Sequence, residues 1–334
     1  MSLQSIPPLT ASVEKSALKA SEKLALARAA IGTTVLGQDK VVALAITAIL
    51  SGGHALLVGV PGLAKTLLVE TIGTVMGLDG KRIQFTPDLM PADITGSEVL
   101  EESAKGKRSF RFIPGPVFCQ LLMADEINRA SPRTQAALLQ AMQERFVTIS
   151  GVRHDLPAPF HVLATQNPIE QEGTYPLPEA QLDRFLFQIN VDFPELSTER
   201  QILLATTGAV QARAKAAMTP KQLRDMQLLV RKLPVGEAVL DAVLTLTRNA
   251  RPESSPLETV RSAVSWGPGP RAGQALMLAS RAKALIEGRL SPSVDDVLEL
   301  AVPVLQHRMA LNFAARADGI TLADVITELK ASAA

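Results

Sequence analysis

The amino-acid sequence predicts an α/β fold, in which a parallel sheet flanked by helices is followed by a smaller, all-helical domain. Short apolar segments alternate with helical segments up to about residue 194, which is typical of a parallel sheet covered on both faces. Beyond that point the strand signals stop. We therefore expect two domains, residues 1–194 and 195–334.

Each predicted element rests on its local pattern. The segment Ser12–Ile31 is rich in Ala, Leu, Glu and Lys and stops at Gly32, as a capped helix does. The other helices predicted in the first domain are Asp39–Leu50, Lys65–Met76 and Pro132–Arg145. Its strands are predicted at His54–Val58, Arg82–Phe85, Gln120–Ala124, Phe160–Thr165 and Phe185–Ile189. The helices predicted in the second domain include Leu223–Leu233, Glu237–Asn249, Arg271–Glu287 and Val294–Gln306.

Composition narrows the class of protein. The 34 basic residues nearly balance the 33 acidic ones, which argues against a nucleic-acid-binding protein, although a local basic patch is compatible with this balance. We expect no secretory signal and no membrane insertion, because the longest apolar run, Val41–Leu50, is too short to span a bilayer. The single cysteine, Cys119, fits a reducing compartment and lies in an apolar stretch, where a small buried side chain is expected. A cytoplasmic location is therefore expected.

A glycine-rich loop lies between the predicted strand His54–Val58 and the predicted helix Lys65–Met76. Loops in this position direct backbone N–H groups at phosphate oxygens. Lys65 can place a positive charge beside the β- and γ-phosphates, and the Thr66 hydroxyl can ligate Mg²⁺. The predicted nucleotide-binding residues of this loop are Gly59, Val60, Pro61, Gly62, Leu63, Ala64, Lys65 and Thr66.

Ala64 departs from the usual loop pattern, which has glycine before the lysine. Its methyl group is the smallest possible addition, so we expect the loop to remain competent if the φ angle of Ala64 is negative. Taken alone, the loop could also be an ordinary turn before a helix. The carboxylates further along the chain argue against that alternative.

Two adjacent carboxylates, Asp125 and Glu126, follow the predicted strand Gln120–Ala124. Ligands of open α/β sheets bind at the carboxyl ends of the strands, so both side chains are expected beside the phosphate loop. Asp125 can hold Mg²⁺ through its hydration shell, and Glu126 can act as general base on the attacking water. The alternative is an exposed turn that starts a helix, where carboxylates favour the amino terminus.

The order of these motifs resembles the AAA+ superfamily of P-loop ATPases, and more closely its MoxR family. The resemblance covers most of residues 32–275 and implies a P-loop AAA+ core with a helical lid that binds and hydrolyses ATP with Mg²⁺. MoxR-like chains commonly have alanine before the loop lysine. The resemblance also implies that Gly37 and Gln38 contribute to nucleotide binding. The similar segments are Val35–Gln38, Gly59–Thr66, Phe85–Pro91, Gly115–Phe118, Asp125–Arg129, Ala164–Pro168, Leu177–Phe185 and Gly267–Ala272.

The resemblance implies roles for three more side chains. Asn167 is similar to the sensor that orients the lytic water, and Arg184 to the arginine finger that reaches the ATP of a neighbouring subunit. Arg271 is similar to a second sensor on the lid that contacts phosphate from the other side, although Gly269 replaces the serine usual in that motif. Both arginines could instead be surface residues in weak ion pairs. Arg129 is weighed equally as an interface residue or a surface residue.

Two insertions resemble those of the MoxR-containing clade. One covers roughly residues 86–113 and is expected to contain extended segments. The other, at about residues 146–156, is predicted to be a β-hairpin with Arg153 and His154 at its tip. In similar ring ATPases this hairpin faces the central pore, and a hairpin that only meets solvent is the alternative.

The resemblance implies a ring, expected to be a hexamer, that uses ATP hydrolysis for chaperone-like remodelling or for maturation of a protein complex. Von Willebrand factor A domain proteins are implied as partners. One alternative is the ATPase component of a metal chelatase. A nucleic-acid motor is disfavoured by the balanced charge, and a switch without hydrolysis is disfavoured because Glu126, Asn167 and Arg184 are all present.

Overall fold

The computed structural model describes residues 11–102, 108–170, 173–208 and 214–333. Within these ranges a five-stranded parallel sheet has the order β2-β5-β8-β1-β9. All five strands predicted for the first domain are confirmed, with bounds that differ by at most two residues. The strands in chain order are β1 Ala55–Val58, β2 Gly80–Gln84, β3 Gly96–Glu102, β4 Arg108–Pro114, β5 Leu121–Asp125, β6 Phe146–Ile149, β7 Val152–Asp155, β8 His161–Gln166, β9 Phe187–Asn190, β10 Val264–Trp266 and β11 Ala310–Leu311.

Helices surround the sheet and form most of the chain after residue 194. The predicted helices Asp39–Leu50, Lys65–Met76 and Glu237–Asn249 are confirmed with both bounds unchanged. Within the described ranges the helices are α1 Ala11–Gly32, α2 Asp39–Leu50, α3 Lys65–Met76, α4 Pro91–Thr95, α5 Pro132–Glu144, α6 Glu179–Leu182, α7 Leu196–Thr207, α8 Pro220–Val230, α9 Glu237–Asn249, α10 Glu258–Ala263, α11 Pro270–Ile286, α12 Val294–Leu305, α13 Phe313–Ala317 and α14 Leu322–Ala331.

The ends of the helices follow from local chemistry. At the start of α5 the hydroxyl of Ser131 accepts a hydrogen bond from the backbone N–H of Thr134, and Pro132 occupies the first helical position. Helix α8 begins with a reciprocal capping box between Thr219 and Gln222. These caps satisfy backbone donors that a helix end otherwise leaves unpaired.

Both faces of the sheet are buried, as the continuous apolar pattern of its strands requires. Along β5, Leu121 and Met123 pack into the core that contains α1, α3 and the carboxyl-terminal helices. Leu122 and Ala124 point to the opposite face and pack against α5. Successive side chains of a strand alternate between faces, so one short apolar segment serves two cores.

The first insertion forms α4 and the antiparallel hairpin β3–β4. The second forms the predicted hairpin β6–β7, but the prediction for its tip is wrong. The tip is Ser150 and Gly151, both at positive φ, whereas Arg153 and His154 lie within β7. The imidazole of His154 stacks on Phe112 of β4 with the ring centroids 4.0 Å apart. The two insertions therefore pack against each other.

The carboxyl-terminal region is helical as predicted, with one addition. The short strands β10 and β11 pair antiparallel across 44 residues of sequence, a contact too small to leave a strand signal. Helix α7 also has an unusual property, because none of its twelve residues is buried. No helix in the described ranges is long and apolar enough to cross a membrane.

Candidate functional site

The phosphate loop borders a cavity of about 420 Å³, here called the phosphate cavity. The amino terminus of α3 faces it, with Lys65 and Thr66 in the first turn. The Lys65 ammonium donates hydrogen bonds to the carbonyl oxygens of Gly59 at 2.6 Å and Val60 at 2.8 Å. Burial lowers the pKa of the Lys65 ammonium, and the charges of Asp125 and Glu126 oppose that shift. A cation is thus held where a helix amino terminus already favours anions.

The condition set for Ala64, a negative φ, is not met. Its φ is 54°, in the left-handed region, and Gly62 two residues earlier has a φ of 87°. Such a conformation turns successive backbone N–H groups toward one concave surface, which is how a loop cradles an anion. Glycine adopts this conformation without steric cost, whereas alanine does so at a cost of about 1–2 kcal/mol.

Asp125 ends β5 at the edge of the phosphate cavity, as predicted. One carboxylate oxygen accepts a hydrogen bond from the hydroxyl of Thr165 at 2.6 Å. The other forms an ion pair with Arg82 of β2, also at 2.6 Å. Because β2 and β8 flank β5 in the sheet, both partners reach Asp125 from adjacent strands. The carboxylate is therefore fixed in position.

Glu126 follows directly and points into the same cavity. Its φ is 55°, a strained conformation for this residue type, and such outliers concentrate at functional sites. The hydroxyl oxygen of Thr165 accepts a hydrogen bond from the Glu126 N–H at 2.8 Å. The same carboxylate oxygen of Glu126 accepts hydrogen bonds from Gln84 at 2.6 Å and Arg129 at 3.0 Å. Three neighbouring residues thus hold the predicted base.

Asn167 also borders the phosphate cavity, at the carboxyl end of β8. Its side-chain oxygen accepts a hydrogen bond from the backbone N–H of Ile169 at 3.2 Å. Arg129, weighed as a possible interface residue, bridges Glu126 and Glu170 within the chain. The cavity therefore collects Lys65 and Thr66, the two carboxylates and Asn167 from three parts of the sequence.

A second cavity of about 280 Å³ adjoins the first and is mainly apolar. We call it the base cavity. The two cavities share Gly62, Leu63, Ala64 and Leu67. Gln38 borders the base cavity as predicted, and Ile202 and Ala205 of α7 form part of its wall. Gly37 does not border it, and instead faces Thr198 of α7, where a Cβ atom would lie 2.1 Å from the threonine methyl carbon.

The residues present fit a magnesium ion bound together with a nucleotide. Thr66 and Asp125 bring oxygen ligands to one cavity, and Mg²⁺ prefers oxygen. No cluster of three or more His, Cys, Asp or Glu side chains that could hold a metal occurs in the described ranges. That agrees with the usual magnesium site of such enzymes, where one or two protein ligands are completed by water and substrate phosphates.

Arg184 and Arg271 border a different cleft, here called the Arg184 cleft, which has no residue in common with the phosphate or base cavities. Arg271, expected from the resemblance to contact phosphate, therefore does not border the phosphate cavity of its own chain. Arg271 lies 3.6 Å from Asp183, which also pairs with Arg308 at 2.7 Å. The Arg184 guanidinium makes no hydrogen bond or ion pair with any residue that the structure describes.

Comparisons with known proteins agree with this site. The model of a family described as "ATPase family associated with various cellular activities (AAA)" matches residues 54–187, and that of the "AAA lid domain" matches residues 258–329. The chain is 44% identical to the chaperone MoxR1 of Mycobacterium tuberculosis over 296 residues, which cover 88% of this chain and 78% of that protein. This chain belongs to the MoxR family of AAA+ ATPases.

Further relatives support the assignment. Protein MoxR of Paracoccus denitrificans is 32% identical to this MoxR-family chain over 304 residues, which cover 86% of this chain and 88% of that protein. A crystal structure from Cytophaga hutchinsonii, of a protein described as an ATPase, superposes with a TM-score of 0.89. It is 36% identical and covers 96% of this chain and 97% of that one. This chain is accordingly an ATP-hydrolysing enzyme with an AAA core and a helical lid.

The sequence did not reveal Arg82, Gln84 and Thr165 as partners of the two carboxylates. Thr165 carried a usable signal, because it is a hydroxyl in an otherwise apolar strand that ends at the predicted site. Arg82 and Gln84 carried none, since they lie on a polar edge strand and belong to none of the segments that resemble the family. Their positions depend on the register that pairs Gln84 with Asp125. Cys119 is fully buried as predicted, and burial raises the pKa of its thiol to about 12.

Proposed function

We propose that this MoxR protein hydrolyses Mg²⁺-bound ATP in an oligomeric ring, a hexamer, and uses the energy to remodel or mature a protein client. The observation that carries the proposal is the separation of Arg184 and Arg271 from the nucleotide cavities of their own chain. An arginine finger belongs beside the transferred phosphate. If Arg184 cannot reach that position within its chain, a neighbouring subunit must supply the phosphate.

In this proposal the base cavity receives the adenine and the phosphate cavity receives the triphosphate. The apolar wall of Val35, Leu67 and Ile202 suits a stacked purine, and the loop N–H groups with Lys65 suit the β- and γ-phosphates. Thr66 and Asp125 would hold Mg²⁺, the latter through water. The ion would neutralise charge that develops on the phosphate oxygens.

Glu126 acts as the general base that accepts a proton from the attacking water. Asn167 lies at the end of the adjacent strand and orients that water. Gln84 and Arg129 both hold one oxygen of the Glu126 carboxylate, so they set the direction in which the base points. Thr165 fixes the relative position of the two carboxylates, because its hydroxyl contacts Asp125 and the Glu126 backbone.

The remodelling role draws on the relatives. The M. tuberculosis relative is named a chaperone, which supports a protein client. A von Willebrand factor A domain protein is the partner class that the family resemblance implies. Arg153 lies on an exposed hairpin strand, stacked 3.9 Å over the Phe146 ring, and offers a surface for a client. We also propose the domain division near residue 194, a cytoplasmic location, and the lid as the part that moves between nucleotide states.

Mixing two inactive variants tests the ring. Both single variants should bind ATP. Arg184→Ala should hydrolyse it at least about 10³-fold more slowly than wild type, the usual range for loss of an arginine finger, and Glu126→Gln about 10²–10⁴-fold more slowly, the range for loss of a general base. After subunit exchange, some interfaces pair an intact Glu126 with an intact Arg184, so activity should return in part. Phosphate release measures the rescue.

A matched control removes the productive interface. The double variant Arg184→Ala/Glu126→Gln, mixed with the single variant Glu126→Gln, contains no intact Glu126 and should stay inactive. Energy transfer between labelled subunits reports whether exchange occurs. Exchange without any rescue of the two single variants would contradict the assignment of Arg184 to the neighbouring site.

A further inference from the structure

A second arginine-rich cleft lies on the lid, next to the Arg184 cleft. This lid cleft is formed by α9, α11 and the residues around them, has a volume of about 730 Å³, and shares Gln274 and Leu278 with the Arg184 cleft. Part of its wall is apolar, including Leu240, Leu244 and Met277. Four guanidinium groups line it, from Arg231, Arg248, Arg251 and Arg281, and the lining contains no carboxylate.

These four arginines lack anionic partners. None of them forms an ion pair with any residue in the described ranges. The Nε atom of Arg281 is buried without a hydrogen-bond partner. Burial, together with the neighbouring charge of Arg231, lowers the pKa of the Arg281 guanidinium. Arg281 is half-buried, and its unpaired Nε–H is unfavourable, so an anionic ligand in this cleft would be stabilised.

Helix α7 presents the opposite chemistry on its outer face. Leu196, Leu203 and Leu204 are exposed to 83%, 64% and 71%, which is unusual for three leucines on one short helix. Glu195 precedes the helix, and Glu199 lies on the same face as Leu196 and Leu203, at the i, i+3 and i+7 spacing. Arg200 is also exposed on this face, so the two carboxylates outnumber it by one charge. Neither carboxylate forms an ion pair within the described ranges.

The inner face of α7 is already occupied. Ile202 and Ala205 border the base cavity, and Thr198 contacts Gly37. The helix therefore lies at the nucleotide site, with its leucines and carboxylates turned away from the subunit. The exposed leucines of this face match the apolar wall of the lid cleft, and its excess of one negative charge matches the four positive charges there.

We infer that the outer face of α7 docks in the lid cleft of the neighbouring subunit. The inference rests on the proposed ring. In that ring the Arg184 cleft of one subunit must face the nucleotide cavities of the next, and α7 is a wall of those cavities. Since the lid cleft adjoins the Arg184 cleft, the same contact brings α7 toward the lid cleft. The helix that occupies the lid cleft thus belongs to a second copy of this chain.

The docking would couple nucleotide binding to the adjacent lid. A nucleotide base in the base cavity touches Ile202 and Ala205 on one side of α7, while the neighbour's lid holds the leucines on the other. A single helix then transmits the state of one nucleotide site to the next subunit. Contiguous packed elements of this kind can carry coupling between sites.

Cross-linking of two single-cysteine variants tests the docking. Leu203→Cys labels α7 and Leu244→Cys labels the lid cleft, where Leu244 is 47% exposed. Both are built on the Glu126→Gln background, mixed, incubated with ATP and treated with a short bis-maleimide. The native Cys119 is buried and should not react, because thiol reactivity needs an accessible thiolate. Leu26→Cys on α1, 69% exposed, replaces Leu203→Cys in the control mixture.

The expected result is a cross-linked dimer from the mixture of Leu203→Cys and Leu244→Cys, at least tenfold more abundant than from the control mixture. Sedimentation in ATP shows in parallel whether rings assemble. Rings without the specific cross-link would overturn the docking and leave the proposed ring intact. If no rings assemble in ATP, the proposed function itself fails and the docking fails with it.

Discussion

The phosphate cavity and the Arg184 cleft belong to one chain but differ in how their charges are matched. In the phosphate cavity Lys65, Asp125 and Glu126 all have partners, supplied by the loop and by adjacent strands. In the Arg184 cleft, Asp183 is shared by Arg271 and Arg308, and Arg184 has no partner within the described ranges. The charges of the first site are matched within a subunit, whereas the second has a cation available for an anion from outside.

The difference shows which parts of an active site a single chain can organise. Backbone N–H groups, a lysine and two carboxylates are brought together by one sheet edge, because parallel strands end side by side. Arg184 lies in a separate cleft, so its position relative to a nucleotide is set by the neighbouring subunit of the proposed ring. Variants of the two sites should therefore fail in different ways.

The largest effect is expected from Lys65→Ala. It removes the positive charge beside the phosphates, so ATP binding should be lost in calorimetry. Arg184→Ala is the matched variant, because it also removes one cation and should leave binding within about threefold of wild type, less than 1 kcal/mol. Equal loss of binding in both variants would break the comparison, since Arg184 would then serve the nucleotide site of its own subunit.

Glu126→Gln should separate binding from chemistry. The amide keeps the size of the side chain but cannot accept the proton, so hydrolysis should fall by about 10²–10⁴-fold, the range for loss of a general base. ATP affinity should change little. Calorimetry and phosphate release on the same preparation measure both quantities, and turnover at the wild-type rate would disprove the assignment of the base.

Lowering the pH should destabilise the fold through two buried histidines, His161 and His54, of which His54 borders the Arg184 cleft. His161 donates from Nδ1 to the Gly53 carbonyl and accepts at Nε2 from Gln227, so the neutral ring uses both nitrogens. Burial lowers the pKa of His161 from 6.5 to about 4, and that of His54 beside it to about 3. Their native forms bind fewer protons than the unfolded chain. The contribution of the two neutral histidines to stability is present above pH 6.5, and it is lost as the pH falls toward their native pKa values of about 4 and about 3.

The loss should reach about 1.4 kcal/mol of unfolding free energy per pH unit for each histidine. Denaturant unfolding between pH 7 and 4.5 measures it, and His161→Gln should be less sensitive to pH by up to that amount. Carboxylates titrate alike in both proteins, so the difference between them isolates His161. Identical slopes would mean that His161 is already protonated in the native protein or does not titrate in this range.

The smallest effect is expected from Ala64→Gly. Glycine relieves the left-handed strain but increases the freedom of the unfolded chain, so stability should change by about 1 kcal/mol or less and ATP affinity should barely change. Ala64→Val is the contrasting variant, because a β-branched residue tolerates this conformation poorly. It should weaken ATP binding by distorting the loop. Tight binding by the valine variant would show that the loop changes conformation around the nucleotide.

Much of this site could be predicted because its chemistry is contiguous in sequence. Lys65 and Thr66 follow the loop directly, and Asp125 and Glu126 follow an apolar strand. The location of Arg271 could not be predicted, because it depends on where the lid packs against the core, which no local pattern determines. The left-handed φ of Ala64 was missed for a different reason, since the residue type gave the opposite preference.

The Asp183–Arg308 ion pair has a mechanical consequence. Arg308 is only 2% exposed and also donates hydrogen bonds to the carbonyl oxygens of Phe185 and Leu186, so it clamps the lid onto the segment that carries Arg184. Removing one member of a buried pair typically costs about 3–5 kcal/mol, which makes this clamp stiff. A rotation of the lid that keeps this ion pair intact would therefore move Arg184 as well.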